Sequence, residues 1–183
     1  MSPQTEITIR RATIVDAEML SALGAATFHS AFAADNDPED MAAYLAAAFS
    51  PAQQAEELAD PGATFFVAEI AGQAVGYAKL RANEAPACVT GTKPMELERI
   101  YSLKEWIGQG IGEALMRACL EEARRSGYQT LWLGVWERNA RALAFYRKHG
   151  FRQVGNKIFQ LGSDAQTDVV MERTLSATNQ VGS

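Results

Sequence analysis

Hydrophobic and polar positions along this chain change period several times, and each change marks an element. "ITIRRAT" (residues 7–13) alternates and predicts a first strand. "DAEMLSALGAATFHSAF" then takes helical spacing, with Asp16 as a candidate cap and Met19, Leu20 and Leu23 along one face. "ADNDPED" breaks the pattern with turn residues. "MAAYLAAAFSPAQQAEELAD" predicts two short helices, with Pro51 opening the second, where a missing N–H is not needed. After "DPGA", the runs "TFFVAEI" and "AVGYAKLRA" are apolar, β-branched and aromatic, and the "AGQ" between them makes a hairpin. "NEAPACVTGTKP" reads as a loop, and "MELERIYSL" alternates again as a strand.

The second half continues with "IGEALMRACLEEARRSG". Here Ile111, Ala114, Leu115, Ala118 and Cys119 form the buried stripe of a helix that Gly127 ends. "TLWLGVWE" is apolar on both faces, as a strand buried between two layers would be. "NARALAFYRKHG" predicts a helix capped by Asn139, with Ala142, Phe145 and Tyr146 along one side and Gly150 at its end. "FRQVGNKIFQL" and "TDVVMERTL" are the last strands, and "SATNQVGS" (176–183) reads as a disordered tail. With the short helices taken as one α unit, the order is β-α-α-β-β-β-α-β-α-β-β. It predicts one α/β domain over residues 5–175, built on a mixed α+β sheet.

Composition narrows the function. A chain of 183 residues suits one domain, and 48% hydrophobic residues can fill its core. A net charge of −5 argues against a nucleic-acid face. Cys88 and Cys119 make no disulfide framework and point to a reducing compartment. They have no zinc-ligand spacing with His29 or His149, so no metal is expected. The first residues, "MSPQTEITIR", lack a signal-length apolar run, and no stretch approaches a membrane span; a soluble cytoplasmic protein is expected.

The glycines of "WIGQGIGEAL" carry the candidate chemistry. Gly108, Gly110 and Gly112 stand at the mouth of a predicted helix, where glycine is otherwise disfavoured. They fit either a tight turn or a site where unpaired helix-start amides hold a phosphate. A P-loop is excluded, because Gly112 is followed by Glu113 and Ala114. A dinucleotide fingerprint is excluded too, because its third glycine would fall on Glu113 or Leu115.

Longer stretches carry a resemblance. "ERIYSLKEWIGQGIGEALM" resembles motif A of the GNAT superfamily of acetyl-CoA-dependent N-acetyltransferases. "LGVWERNARALAFYRKHGF" resembles the second motif of that superfamily, in the right order and at the right separation. Within it, "ELERIY", "WLGVWERN", "AFYRKHGF", "LGSDAQTDVVMER" and the early "TFHSAF…DNDPEDMAAYLAAAFS" are similar to bacterial PaiA-type enzymes, which acetylate polyamines such as spermidine. The resemblance implies the GNAT fold, with splayed central strands and helices on both faces. It implies acetyl-CoA as co-substrate, without a metal, and direct attack by a primary amine in a ternary complex, a polyamine being the leading acceptor. A protein N-terminus or an amino acid as acceptor, and a non-catalytic acyl-CoA-binding regulator, are the rival readings. Family members often form homodimers, for which the late strands can supply an interface.

The resemblance also distributes roles. The turn of Ile107, Gly108, Gln109, Gly110, Ile111 and Gly112 would hold the coenzyme diphosphate. The backbone of Tyr101 and Ser102 would pair with the pantetheine arm as with an added strand, and Asn139 would lie beside that arm. One position departs from the family pattern: Ile107 stands where Gln or Arg is usual.

N-acetylation needs a neutral amine, yet a free alkylamine has a pKa of about 10, and the departing thiolate leaves better once protonated. Tyr146 matches the family's general acid, two helical turns after Asn139. Glu98 is the candidate base or electrostatic anchor, with Glu96 as alternative. Simple alternation would put Glu96, Glu98, Ile100 and Ser102 on one side of their strand. Glu98 is equally open to a salt bridge with Arg99 or Arg173. Asp35, Asp37, Glu39 and Asp40 suit either a polycationic acceptor or a solvated turn, and Phe28, Phe32 and Tyr44 either wall an alkyl chain or fill the core. Cys119 lies in an apolar stripe and reads as structural; Trp106, Trp132 and Trp136 read as core or cleft-wall packing.

Overall fold

The alternating stretches become the seven strands of one sheet in a computed structural model that describes residues 5–176. They are β1 (Ile7–Arg11), β2 (Ala63–Ile70), β3 (Gln73–Arg81), β4 (Pro94–Ser102), β5 (Thr130–Trp136), β6 (Arg152–Leu161) and β7 (Asp164–Thr174). Their order across the sheet is β1-β2-β3-β4-β5-β7-β6. The helices are α1 (Ala17–Phe32), α2 (Pro38–Ala48), α3 (Pro51–Ala59), α4 (Ile111–Arg125) and α5 (Ala140–Lys148). The disorder expected of the tail falls, from residue 177 on, outside the described residues.

Neighbouring strands are antiparallel except β4 and β5, and that one parallel pairing is short. Pro94–Glu96 meets Thr130–Trp132, and beyond those residues the two strands are no longer paired. On its other side β4 stays paired to β3 as far as Ser102. The far edge of Leu97–Ser102 therefore lies open in the middle of the sheet.

Helices cover both faces. The apolar stripe of α4, including Ile111, Leu115 and Cys119, packs with Leu143 and Phe151 onto Leu97, Leu131, Leu133 and Met171. Burying one such leucine contributes about 1.5–3 kcal/mol. On the opposite face, Leu20 and Leu23 of α1 meet Phe65, Val67 and Tyr77. A third cluster, Phe28, Met41, Phe49 and Leu161, ties α1 and α2 to the end of the β6–β7 hairpin. Among the described residues, no helix is long and apolar enough to cross a membrane.

Four local differences from the sequence expectation matter. Asp16 stands at the N-cap of α1 but makes no side-chain cap bond: it ends a 3-10 turn (Ile14–Asp16), accepts from the Thr13 amide at 2.8 Å and binds the Arg10 guanidinium. Strand β7 starts three residues before Thr167, because its polar head reaches α2 and the turn before it: Ser163 donates to Asp40 and Gln166 to Asn36. β5 packs Leu131, Leu133 and Val135 into the α4 core on one face, while Trp132 and Trp136 on its other face wall a cleft. Finally, β4 carries a bulge: Lys79 pairs with Arg99 and Leu80 with Leu97, leaving Glu98 as the extra residue. The bulge breaks the alternation, so Ile100 packs against the α4 core while Glu96 faces the cleft.

Candidate active site

Where β4 and β5 part, one cleft of about 1160 Å³ runs through the molecule. The glycine turn and Asn139 line it at one end, Glu96 and Asp168 at the other, and Tyr146 lines it as well.

The glycine end is built from backbone. Gly108 and Gly110 have φ of 82° and 91°, a left-handed region that strains any residue with a Cβ. The N-cap residue of α4 is Gly110, which has no side chain to offer as a cap. Its first backbone bond of this kind is Ala114 N–H to the Gly110 carbonyl, so the amides of Ile111, Gly112 and Glu113 have no backbone partner among the described residues. Glycine at 112 also lets α5 approach, since a Cβ there would meet the Phe145 ring at 3.3 Å. Lys104, Arg141 and Lys148 line the same cleft, and Lys148 binds Glu113 and offsets its charge beside these amides. Ile107 is 38% exposed at the cleft wall and contributes no charge.

Asn139 caps α5, its Oδ1 accepting from the Ala142 amide at 3.2 Å, and it also lines the cleft. Tyr146 stands on α5 with ring centroids 5.5 Å from Phe145 and 5.8 Å from Phe151. Burial, reinforced by the nearby Cys119 thiol, holds its phenol above the ordinary 10, so it keeps its proton at neutral pH. Cys119 itself is fully buried and its thiol is pushed up by burial, which leaves it no nucleophilic role. Tyr101 and Ser102 lie on the open stretch of β4.

The other end is built from side chains of many elements. Phe28 stacks on Tyr44 at 4.7 Å, and Phe32 meets Tyr101 and Trp136 edge-on at 6.3 and 6.2 Å. Beneath this wall lies a charge quartet. Lys79 Nζ is 2.9 Å from Glu57 Oε1 and 2.7 Å from Glu98 Oε2, and Arg99 forks onto Glu57 at 3.0 and 2.9 Å. Burial alone would raise the Glu57 carboxyl; the Arg99 and Lys79 hydrogen bonds and charges hold it below its usual value. Glu98 is thus an ion-paired carboxylate, and its partners are Lys79 and, at 3.8 Å, Arg99. Arg173 instead donates to the His149 carbonyl. Glu96 accepts from Asn83 at 2.6 Å, and burial, then the Glu98 charge, raise its carboxyl.

The acidic loop takes no part in the cleft. Asp37 caps α2, accepting from the Glu39 and Asp40 amides, and Asp40 accepts from Ser163. Lys157 and Asp168, which line the cleft, escaped the sequence reading, as did Glu57 and Lys79, which sit behind Glu98 and Arg99. Lys79 carries a visible signal, a lysine inside an otherwise apolar strand run, and Asp168 carries the same signal beside "VVM".

Known proteins agree with this geometry. Residues 27–151 match the acetyltransferase (GNAT) family. The chain is 35% identical over 154 residues to an uncharacterized N-acetyltransferase in the pepI 3′ region of Lactobacillus delbrueckii subsp. lactis, covering 84% of this chain and 89% of that one. It is 36% identical over 162 residues to an uncharacterized N-acetyltransferase of Mycobacterium tuberculosis, covering 88% and 99%. The PaiA N-acetyltransferase of Thermoplasma acidophilum, solved in complex with coenzyme A, has the same fold: TM-score 0.76 at 20% identity, over 92% of this chain and 99% of that one. A family match over most of the chain, on a sheet that opens beside a glycine turn, makes this protein a member of the GNAT family and an N-acetyltransferase.

Proposed function

We propose that the protein transfers the acetyl group of acetyl-CoA to the primary amine of a small molecule by direct attack within a ternary complex. One observation carries this reading: a single cleft joins the unpaired amides of the glycine turn, the open edge of β4, Tyr146 and an aromatic wall with carboxylates. The α4 amides and the Gly108–Gly112 turn hold the diphosphate, aided by the positive end of the helix dipole. The pantetheine amides add to β4 beside Tyr101 and Ser102 as a pseudo-strand, with Asn139 at its flank. This lays the thioester where β4 and β5 part. The PaiA neighbour, which binds coenzyme A, supports the arrangement.

Tyr146 serves as general acid toward the leaving sulfur. Glu98 and Glu96 give the acceptor end a negative potential, with Glu98 fixed by Lys79 and Glu96 less committed. Aromatic faces beside carboxylates suit an ammonium on a hydrocarbon chain, since a cation over such a ring gains about 0.5–2 kcal/mol. Polyamines, which the resemblance to PaiA-type enzymes implies, meet that description; the acidic loop of Asp35, Asp37, Glu39 and Asp40 lies outside the cleft lining. A homodimer through the late strands would use β6, one of the two edge strands of the sheet, where Ile158 is 66% exposed.

Calorimetry with acetyl-CoA, followed by thiol release with an amine panel, tests the reading. The panel includes spermidine, spermine, simple alkyl- and aralkylamines, amino acids and peptides. Binding with turnover on alkylamines is expected. Absence of heat with any coenzyme A species overturns the proposal, and binding without turnover on any amine makes the protein an acyl-CoA-binding regulator.

A further inference from the structure

Asp168 of β7 is 8% exposed and lines the cleft, yet its carboxylate has no hydrogen bond or ion pair among the described residues. A buried carboxylate of this kind is costly unless something binds there. Its surroundings are arranged around it. Gly134, two residues past the end of the β4–β5 pairing, leaves the space above β5 free: a Cβ there would lie 2.5 Å from Lys157 Cε and 3.2 Å from Asp168 Oδ2. Lys157 of β6 pairs with Asp168 in register, lies 5.5 Å over the Trp132 ring and makes no ion pair among the described residues. The buried Trp132 Nε1 has no partner either. An anionic group, a cation and an indole donor thus line the cleft where the two strands separate, and none has a hydrogen-bond partner among the described residues.

We infer that Asp168 is the catalytic residue that binds the acceptor's ammonium group and takes its proton, with Lys157 positioned to favour the neutral amine. The inference rests on the reading of the cleft given above. In chemical terms, R–NH3⁺ gives one proton to the Asp168 carboxylate, which passes it to solvent. The freed nitrogen lone pair attacks the thioester carbonyl carbon and the C–N bond forms. The nitrogen then loses its second proton, which restores Tyr146 after that phenol has protonated the sulfur, and the C–S bond breaks to give the amide and the coenzyme thiol. Like charge on Lys157 disfavours the ammonium form at this point, which eases a transfer that would be strongly uphill in water.

The titratable groups facing Asp168 are Lys157 from β6 and Tyr44 from α2, and Glu96 of β4 shares the field of Lys157. Burial raises the Asp168 carboxyl to about 6, with Lys157 opposing the rise. A base poised there is charged at neutral pH and still able to exchange a proton.

The test compares wild type, Asp168→Asn and Asp168→Glu in three measurements: kcat and kcat/KM against pH with an accepted alkylamine, acetyl-CoA affinity by calorimetry, and melting temperature. The wild-type kcat/KM should fall below about pH 6. Asp168→Asn should lose that acid limb and about 100-fold in kcat, with acetyl-CoA affinity within twofold and a melting temperature at pH 7.5 no lower than wild type. Asp168→Glu should recover part of the rate and the limb. Activity of Asp168→Asn within threefold of wild type, or an acid limb that persists in it, overturns the assignment. So does a rate loss accompanied by a lower melting temperature, which marks a structural role. Failure of the wild type itself to bind acetyl-CoA overturns the parent reading and this one together.

Discussion

The two ends of the cleft are made of different material. The end we propose for the coenzyme is main chain: amides left unpaired where α4 begins, a left-handed turn at Gly108 and Gly110, and an unpaired edge of β4. The acceptor end is side chain: aromatics from α1 and α2, charges from α3, β3 and β4, and Asp168 and Lys157 from the last hairpin. Backbone groups bind what every member of a fold must bind, because their positions follow from the fold itself. Side chains can be exchanged without disturbing the sheet, so they carry what distinguishes one acceptor from another.

Tyr146 lines the same cleft, and as the proposed general acid its removal is the sharpest way to separate the two ends. Tyr146→Phe should lower kcat about 100-fold, within the range for a general acid, and leave acetyl-CoA affinity within twofold. Single-turnover kinetics with calorimetry checks both halves of that statement. If affinity falls as far as rate, the ring is part of the coenzyme wall and the division drawn here fails.

Gly110→Val attacks the backbone end alone. A β-branched residue at φ 91° is strained, and the turn must shift to relieve it. About 2 kcal/mol of lost amide contacts corresponds to about 30-fold weaker acetyl-CoA binding, with kcat at saturating coenzyme retained. Affinity that survives would show that side chains, not amides, hold the diphosphate.

This division also explains what the sequence reveals. Element order, the helices and the glycine turn are legible because periodicity, capping residues and glycine act locally. Thus the stripe of Ile111, Leu115 and Cys119 and the cap at Asn139 appear in the structure where their spacing puts them. The bulge at Glu98 is not legible, because it is fixed by β3 pairing rather than by the strand's own residues. The acceptor end is least legible of all. Glu57 and Lys79 are 22 residues apart, and nothing in either segment announces their contact at 2.9 Å. The "DNDPED" loop misleads for the opposite reason: its acids are conspicuous in sequence and are spent on capping α2 and holding the β6–β7 turn.

The charge quartet makes the acceptor end a matter of stability as well as recognition. Glu57→Gln would leave Lys79, 3% exposed, and Arg99 with one carboxylate between them. Breaking a buried pair costs about 3 kcal/mol, or a fall of about 6–12 °C in melting temperature for a chain of this size. The pH dependence has a definite sign. Glu57 titrates below its usual 4.5 in the folded protein, so its contribution is present above that pH and is lost as pH falls through the folded value. Asp168 behaves oppositely: the folded protein holds its proton up to about 6 while the unfolded chain releases it near 3.8, so raising pH through that window costs stability. Thermal melts from pH 3 to 8 on Glu57→Gln and Asp168→Asn should therefore diverge, the first losing the acid-side dependence and the second the dependence between those two values. Parallel curves would mean that neither carboxyl is perturbed by its surroundings.

The smallest effect tests whether the backbone end is complete without help from side chains. Ile107 is an exposed apolar residue in the glycine turn on the cleft wall, at a position where the family pattern has Gln or Arg. Ile107→Arg would add a guanidinium able to fork onto a phosphate. An exposed contact of this kind is worth about 0.2–1 kcal/mol, so acetyl-CoA affinity should rise by up to about fivefold. The gain should shrink as salt is raised, because the new charge is solvent-facing. Calorimetry at two ionic strengths reads both effects. A gain that ignores salt would come from packing rather than charge. No gain at low salt would mean that Lys104, Arg141 and Lys148, which line the same cleft, already neutralise the diphosphate, so that the missing side chain is compensated from neighbouring elements.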